Sequence, residues 1–278
     1  MYLKHFGLNE LPFGITPDTS YVYSLQHHQE AINTLLLALT QGEGFVKISG
    51  EVGTGKTLLC RRLLQTLGDD WVSAYFPNPS LGPDTLLQAL AEELGLRDAC
   101  GLEPYRLLRR VNHALLDFAR ARKRVVVCID EAQAVPIETL ETLRLLSNLE
   151  TEKRKLLQIV LFGQPELDEK LSRPEVRQLQ QRIAFHYRLG GLKRNEIGLY
   201  VAHRLHVAGY RGEGLFTDAA LRALFDASGG TPRLVNILAH KSLLSVFGEG
   251  RQSVRWRHVR EARRDTEGAR PLRWWRWW

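Results

Sequence analysis

Gly50-Glu51-Val52-Gly53-Thr54-Gly55-Lys56-Thr57 fits the pattern G-x-x-x-x-G-K-[ST]. Glycines let successive backbone N–H groups point inward around a phosphate without Cβ clashes. A helix opening near Lys56 adds its positive dipole end to the same place. Lys56 is long enough to reach β- and γ-phosphates, and the Thr57 hydroxyl suits Mg²⁺. The stretch also has the right neighbours. Phe45-Val46-Lys47-Ile48-Ser49 reads as a short strand before it, and residues 56–67 read as a helix after it. This reading makes Gly50, Glu51, Val52, Gly53, Thr54, Gly55, Lys56, Thr57 and Leu58 the residues that hold a nucleotide's phosphates.

A second stretch completes the chemistry. Val125-Val126-Val127-Cys128-Ile129 is a continuous apolar run, the mark of a strand buried on both faces, and it ends in Asp130-Glu131. The first acid at such a strand end is placed to hold the Mg²⁺ of a bound nucleotide, so Thr57 and Asp130 form the predicted metal pair. The second, Glu131, is placed to deprotonate an attacking water. A nucleotide binder without hydrolysis needs only the first.

Outward from these two stretches, strands alternate with helices as far as residue 190. Further strands are predicted over 71–76, 157–163 and 184–189. Helices are predicted over 28–41, 83–95, 104–121, 136–150, 165–171 and 174–182. Alternation of this kind implies an α/β fold with a parallel sheet between helices. From Lys193 the strand signal stops, and helices over 194–208, 217–228 and 232–247 are separated by Gly-containing turns. The expected organisation is an α/β core over 1–190, a small helical lid over 191–250, and a basic helix and tail over 251–278, in which residues 253–265 read as a final lid helix rich in Arg.

Composition narrows the class. With 278 residues, 44% hydrophobic and 25% charged, the chain is long enough to bury its core without disulfides or metals. No apolar run reaches the roughly 20 residues that cross a bilayer, and the opening residues predict no secretory signal. Three scattered cysteines, Cys60, Cys100 and Cys128, predict a reducing compartment. Adjacent His27-His28, and His203 with His206, lack the Cys or carboxylate partners of a tetrahedral zinc site. The net charge of +7 is uneven, since residues 251–278 hold nine Arg against three acids while the first 250 are nearly balanced. Five of the six Trp lie in the same end, finishing Leu272-Arg273-Trp274-Trp275-Arg276-Trp277-Trp278. Trp and Arg suit an anionic membrane surface, a single-stranded nucleic acid or a protein interface. The reading favoured here is contact with a membrane or a membrane protein.

Together these stretches resemble AAA+ ATPases of the ExeA/GspA type, and within that group the ATPases of MSHA pilus biogenesis. The resemblance is carried by Phe6-Gly7-Leu8 and Leu11-Pro12-Phe13, by the two stretches above with Asp130-Glu131-Ala132-Gln133, and by Phe162-Gly163-Gln164-Pro165-Glu166-Leu167. Gln181-Arg182-Ile183 and Gly229-Gly230-Thr231-Pro232-Arg233-Leu234-Val235-Asn236 extend it, over about residues 1–248. It implies a five-stranded P-loop AAA+ core with a helical lid, ATP and Mg²⁺ as cofactors, and a homo-oligomeric, hexameric ring. It also implies a cytoplasmic place beside an inner-membrane pilus or secretion protein. It makes Asp130 and Glu131 the metal residue and catalytic base, Gln164 a sensor of the γ-phosphate, and Arg233 a second sensor. Arg182 becomes an arginine finger, with Arg173 and Arg177 as competitors. The opening 6–13 stretch and His27-His28-Gln29-Glu30 become the frame of the adenine. AAA+ transposition regulators of the TnsC type, which act on DNA, share the core and form the alternative. The nearly neutral first 250 residues weigh against a DNA-binding inner surface.

Overall fold

The computed structural model describes residues 2–16, 21, 26–99, 101–151 and 154–271. The Trp/Arg end, residues 272–278, and Cys100 lie outside them. The chain forms two compact units. One contains residues 27–51 and 56–189; the other contains residues 1–26, 52–55 and 190–278.

In chain order the elements of the first half are α1 (Leu3–Phe6), α2 (Gln26–Gln41), β1 (Phe45–Ser49), α3 (Lys56–Thr66), β2 (Trp71–Phe76), α4 (Pro83–Glu93), α5 (Pro104–Arg120) and β3 (Arg124–Ile129). Then come α6 (Ile137–Leu146), a small hairpin of β4 (Glu150–Thr151) and β5 (Arg154–Lys155), β6 (Gln158–Gly163), α7 (Pro165–Leu171), α8 (Arg177–Gln180) and β7 (Ile183–Arg188). The five long strands form one parallel sheet in the order β2-β3-β6-β1-β7.

Strand periodicity explains the layers. Val125, Val127, Ile129, Ile159 and Leu161 point to one face, where they pack with Leu86, Leu90, Leu107, Leu115 and Leu140 of α4, α5 and α6. Their neighbours Val126, Cys128, Val160 and Phe162 point to the other face, with Ile32, Leu35, Leu39, Leu59 and Leu63 of α2 and α3. Strands covered on both sides read as unbroken apolar runs, as β3 and β6 do. β7 is one of the two edge strands, and its residues alternate between half-buried and exposed.

Strand order also sets the edge where the chemistry collects. Ser49 pairs with Gly163, and Ile129 pairs with Leu161. β6 therefore leaves the sheet between β1 and β3, and Gln164 emerges between Gly50 and Asp130.

The second unit is helical: α9 (Ile197–Val207), α10 (Asp218–Ser228), α11 (Pro232–Gly248) and α12 (Trp256–Arg264). Thr217 caps α10, its hydroxyl accepting the Ala220 N–H, and Gly229 ends the helix at φ +61°. Two features differ from the expected division at 190 and 250. The opening residues Tyr2, Phe6, Leu8, Phe13 and Tyr21 are buried with the helical unit, not with the sheet. Val254, Val259 and Ala262 are buried in that same core, so α12 is the final lid helix expected over 253–265, and the helical unit runs past the expected boundary at 250. Both follow from apolar side chains whose partners lie some two hundred residues away or across two turns, beyond any local period. The hairpin of β4 and β5 was also unforeseen, and α6 stops at Leu146, short of the expected 150.

Arg204 shows how the opening segment is held within this unit. It is 8% exposed. Its Nε donates to the Pro12 carbonyl (2.6 Å) and one terminal nitrogen to the Gly14 carbonyl (3.2 Å). The guanidinium also lies over the Tyr21 ring, 4.6 Å from its centroid. Asn236 adds a bond from Nδ2 to the Gly14 carbonyl (3.3 Å) and accepts from the Tyr200 hydroxyl (2.9 Å).

Candidate functional site

The loop after β1 starts against β6, where the Gly50 N–H donates to the Gly163 carbonyl (3.2 Å). Lys56 is 5% exposed, and its Nζ donates to the carbonyls of Gly50 (2.8 Å) and Glu51 (3.0 Å). Burial pushes its ammonium below the usual lysine range; the carboxylates of Glu131, Asp130, Glu51 and Glu166 act the other way. Among the described residues its bonded partners are these loop carbonyls, and a buried cation so placed is suited to an anion.

The tip of the loop, residues 52–55, clusters with the helical unit. Gly53 has φ +79°, and a Cβ there would lie 2.6 Å from the Cβ of Arg233. The Gly53 carbonyl accepts the Arg233 N–H (3.3 Å). Glycine at 53 is thus required by both conformation and space. Arg233 is exposed, one residue after Pro232 at the start of α11.

Asp130 ends β3 and is 2% exposed. Burial pushes its carboxyl above the usual range, while hydrogen bonds from the Thr57 hydroxyl and the Glu131 N–H (3.0 Å) oppose that. The expected metal pair, Thr57 and Asp130, is therefore in contact. A hydroxyl and a carboxylate are hard oxygen donors of the kind Mg²⁺ takes, with phosphate and water filling its other positions. A triphosphate next to Asp130 and Glu131 would be repelled without a cation between them, so this donor set fits a metal-bound nucleotide. Among the described residues, no group of three or more His, Cys, Asp and Glu is arranged to hold a metal by itself.

Glu131 has φ +50° and ψ +40°, a left-handed conformation that non-glycine residues rarely adopt. Its Oε2 accepts from Gln164 Nε2 (2.9 Å) and from Gln133 Nε2 (2.6 Å). The sheet edge thus brings together Lys56, Thr57, Asp130, Glu131 and Gln164. Arg182 is engaged elsewhere: it donates to Ser147 Oγ (3.2 Å) and to Asn148 Oδ1, at the end of α6. Arg173 and Arg177 are exposed. His27 and His28 belong to the sheet unit and residues 6–13 to the helical unit.

Two participants were not singled out from sequence. In the sequence Gln133 stands out only as part of the Asp130–Gln133 stretch, and Lys170 does not stand out. Lys170 donates from Nζ to the carbonyls of Gln133 and Val135, the latter at 2.8 Å. The signal for Gln133 is a carboxamide two residues after Glu131; nothing local marks Lys170.

Residues 39–171 match a family described as an AAA domain. General secretion pathway protein A of Aeromonas hydrophila is 45% identical over 257 residues, which is 91% of this chain and 46% of that protein. The chain thus spans about half the length of that curated relative. Among solved structures, CDC6P of Pyrobaculum aerophilum superposes with a TM-score of 0.66 at 18% identity, over 89% of this chain and 70% of its own. The Aeropyrum pernix ORC2 protein in ADPNP–ADP complexes gives 0.62 at 18%, over 92% and 73%. Identities this low bear on the fold alone. Residues 39–171 therefore match an AAA domain, the chain has the P-loop AAA fold of those structures, and it is similar over 91% of its length to general secretion pathway protein A.

Proposed function

We propose that the protein hydrolyses ATP with Mg²⁺ and that turnover drives or supports assembly of an envelope complex. That complex is a type II secretion-like machine or a type IV, MSHA-like pilus. One observation carries the hydrolytic reading: the Glu131 carboxylate is held by two amides at the sheet edge, next to the Asp130–Thr57 contact. Thr57 and Asp130 would hold Mg²⁺, which when bound would neutralise phosphate charge. Residues 50–58 cradle the phosphates, and Lys56 exchanges its loop carbonyls for phosphate oxygens. Glu131 accepts a proton from water as the water oxygen bonds to the γ-phosphorus, and Gln164 orients that water. The bond from the γ-phosphorus to the bridging oxygen breaks, leaving ADP and inorganic phosphate.

The finer roles rest on the family resemblance. Arg182 reaches the nucleotide of a neighbouring subunit in a homo-oligomeric, hexameric ring, and Arg233 reports the γ-phosphate to the helical unit. The exposure of Arg233 at a helix start, where a cation is disfavoured without an anion nearby, supports the second role. The protein works on the cytoplasmic side of the inner membrane beside a pilus or secretion protein. Among the described residues no helix is long and apolar enough to cross a membrane. The Trp/Arg end supplies attachment to an anionic membrane surface.

Phosphate release from Mg-ATP tests the core of this. Glu131→Gln is expected to bind ATP as the wild type does and to lose at least about 100-fold in turnover. Equal turnover by the two proteins would sink the hydrolytic reading.

A further inference from the structure

Glu131 is held through one oxygen. Both amides donate to Oε2, Gln133 at 2.6 Å and Gln164 at 2.9 Å. The other end of the Gln133 carboxamide is also used, since its Oε1 accepts the Gln164 backbone N–H at 3.0 Å. A single side chain thus ties the carboxylate at the end of β3 to the first residue after β6. The turn that carries Gln133, residues 132–134, is pinned from behind by Lys170, which donates to the carbonyls of Gln133 and Val135. Lys170 comes from α7, the helix that Gln164 opens. The ring closes: β3 end, turn, Gln133, Gln164, α7, Lys170 and back to the turn.

We propose that Gln133 is a positioning residue for hydrolysis, fixing Oε2 of Glu131 so that Oε1 is the oxygen that takes the proton from water. This rests on the reading of Glu131 as the base. The physical case has three parts. The terminal torsion of a glutamate is broad, so an unheld carboxylate samples many orientations. Two donors on one oxygen remove that freedom and leave the other oxygen open. The left-handed backbone of Glu131 brings the carboxylate within reach of both amides only while neighbouring bonds hold the turn. Gln164 supplies one of the two donors, and its backbone N–H is itself held by Gln133.

The test compares wild type, Gln133→Met and Gln133→Ala as full-length proteins. Gln133→Met keeps the length of the side chain and removes both hydrogen bonds. Three quantities are read: Mg-ATP turnover, affinity for a fluorescent ATP analogue with Mg²⁺, and melting temperature. For both variants turnover is expected to fall about 10- to 100-fold, with affinity within about twofold of wild type. The melting temperature is expected to stay within about 3 °C, because Gln133 is only half-buried. Turnover within twofold of an active wild type overturns the assignment alone. Turnover, affinity and melting temperature falling together also overturn it, since Gln133 would then be structural. Wild-type turnover no faster than that of Glu131→Gln overturns the hydrolytic reading and this assignment with it.

Discussion

Glu131 and Gly230 both lie at positive φ, and only one of them is glycine. Glu131 accepts the strained conformation because its N–H and carboxylate are both engaged, with Asp130 and with the two amides. Gly230, at φ +81°, has no side chain to be held; a Cβ there would lie 2.2 Å from the Leu192 carbonyl oxygen. The two backbones are also bonded, the Leu192 N–H donating to the Gly230 carbonyl at 2.7 Å. Gly230→Ala must therefore break that bond and pay for a strained residue, with a loss of about 2–4 kcal/mol expected in denaturant unfolding. A loss below about 0.5 kcal/mol would show that the crossing yields freely. The glycine pair 229–230 was legible in sequence as a helix end. Its close approach to Leu192 was not, because the partner lies beyond the local chain.

At the scale of elements, the strap formed by the opening residues and α11 depends on a neutral histidine. The Tyr2 hydroxyl bonds to His240 Nδ1 at 2.9 Å, and burial lowers the His240 value from its ordinary 6.5. Burial also pushes the Tyr2 hydroxyl up to about 12, so it stays a donor throughout the working range. A histidine whose native value is depressed binds its proton more readily when unfolded. Its stabilising effect is therefore complete above the ordinary value and is lost as pH falls from 6.5 toward the native value. The melting temperature should accordingly drop between pH 7.5 and pH 5.5. His240→Gln offers Tyr2 an acceptor that does not titrate, so it should flatten part of the fall. His186 and His258, also lowered by burial, should retain the rest. An unchanged slope in His240→Gln would remove His240 from this account. The elements themselves were largely legible in sequence: all five long strands appear within a residue or two of where apolar runs predict them. The short α1 and the hairpin at 150–155 were not, since four residues and two residues are too few to show a period.

At the scale of the whole molecule, the uneven charge puts the proposed chemistry and the proposed attachment in different stretches of the sequence. The phosphate loop and the acids that face it account for the proposed turnover, while the last 28 residues hold nine Arg and five Trp. Removing residues 272–278 should leave Mg-ATP turnover within about twofold of the full chain and abolish binding to vesicles of anionic phospholipid at low salt. Vesicle binding that survives the deletion would end the anchoring reading. The amino-acid sequence by itself determined the alternating strands and helices of the parallel α/β core, and it set the glycine-rich loop and the acidic pair at strand ends, because each strand, loop and acid pair is written in a run of about eight residues or fewer. Tertiary structure alone decided three things. The opening residues and α12 share one helical core; Arg182 is bonded at the end of α6; and Gln133 joins Glu131 to Gln164. Each is a choice of partner across the fold, made by burying apolar surface and satisfying polar groups left inside it, and no local pattern encodes which distant group will be there.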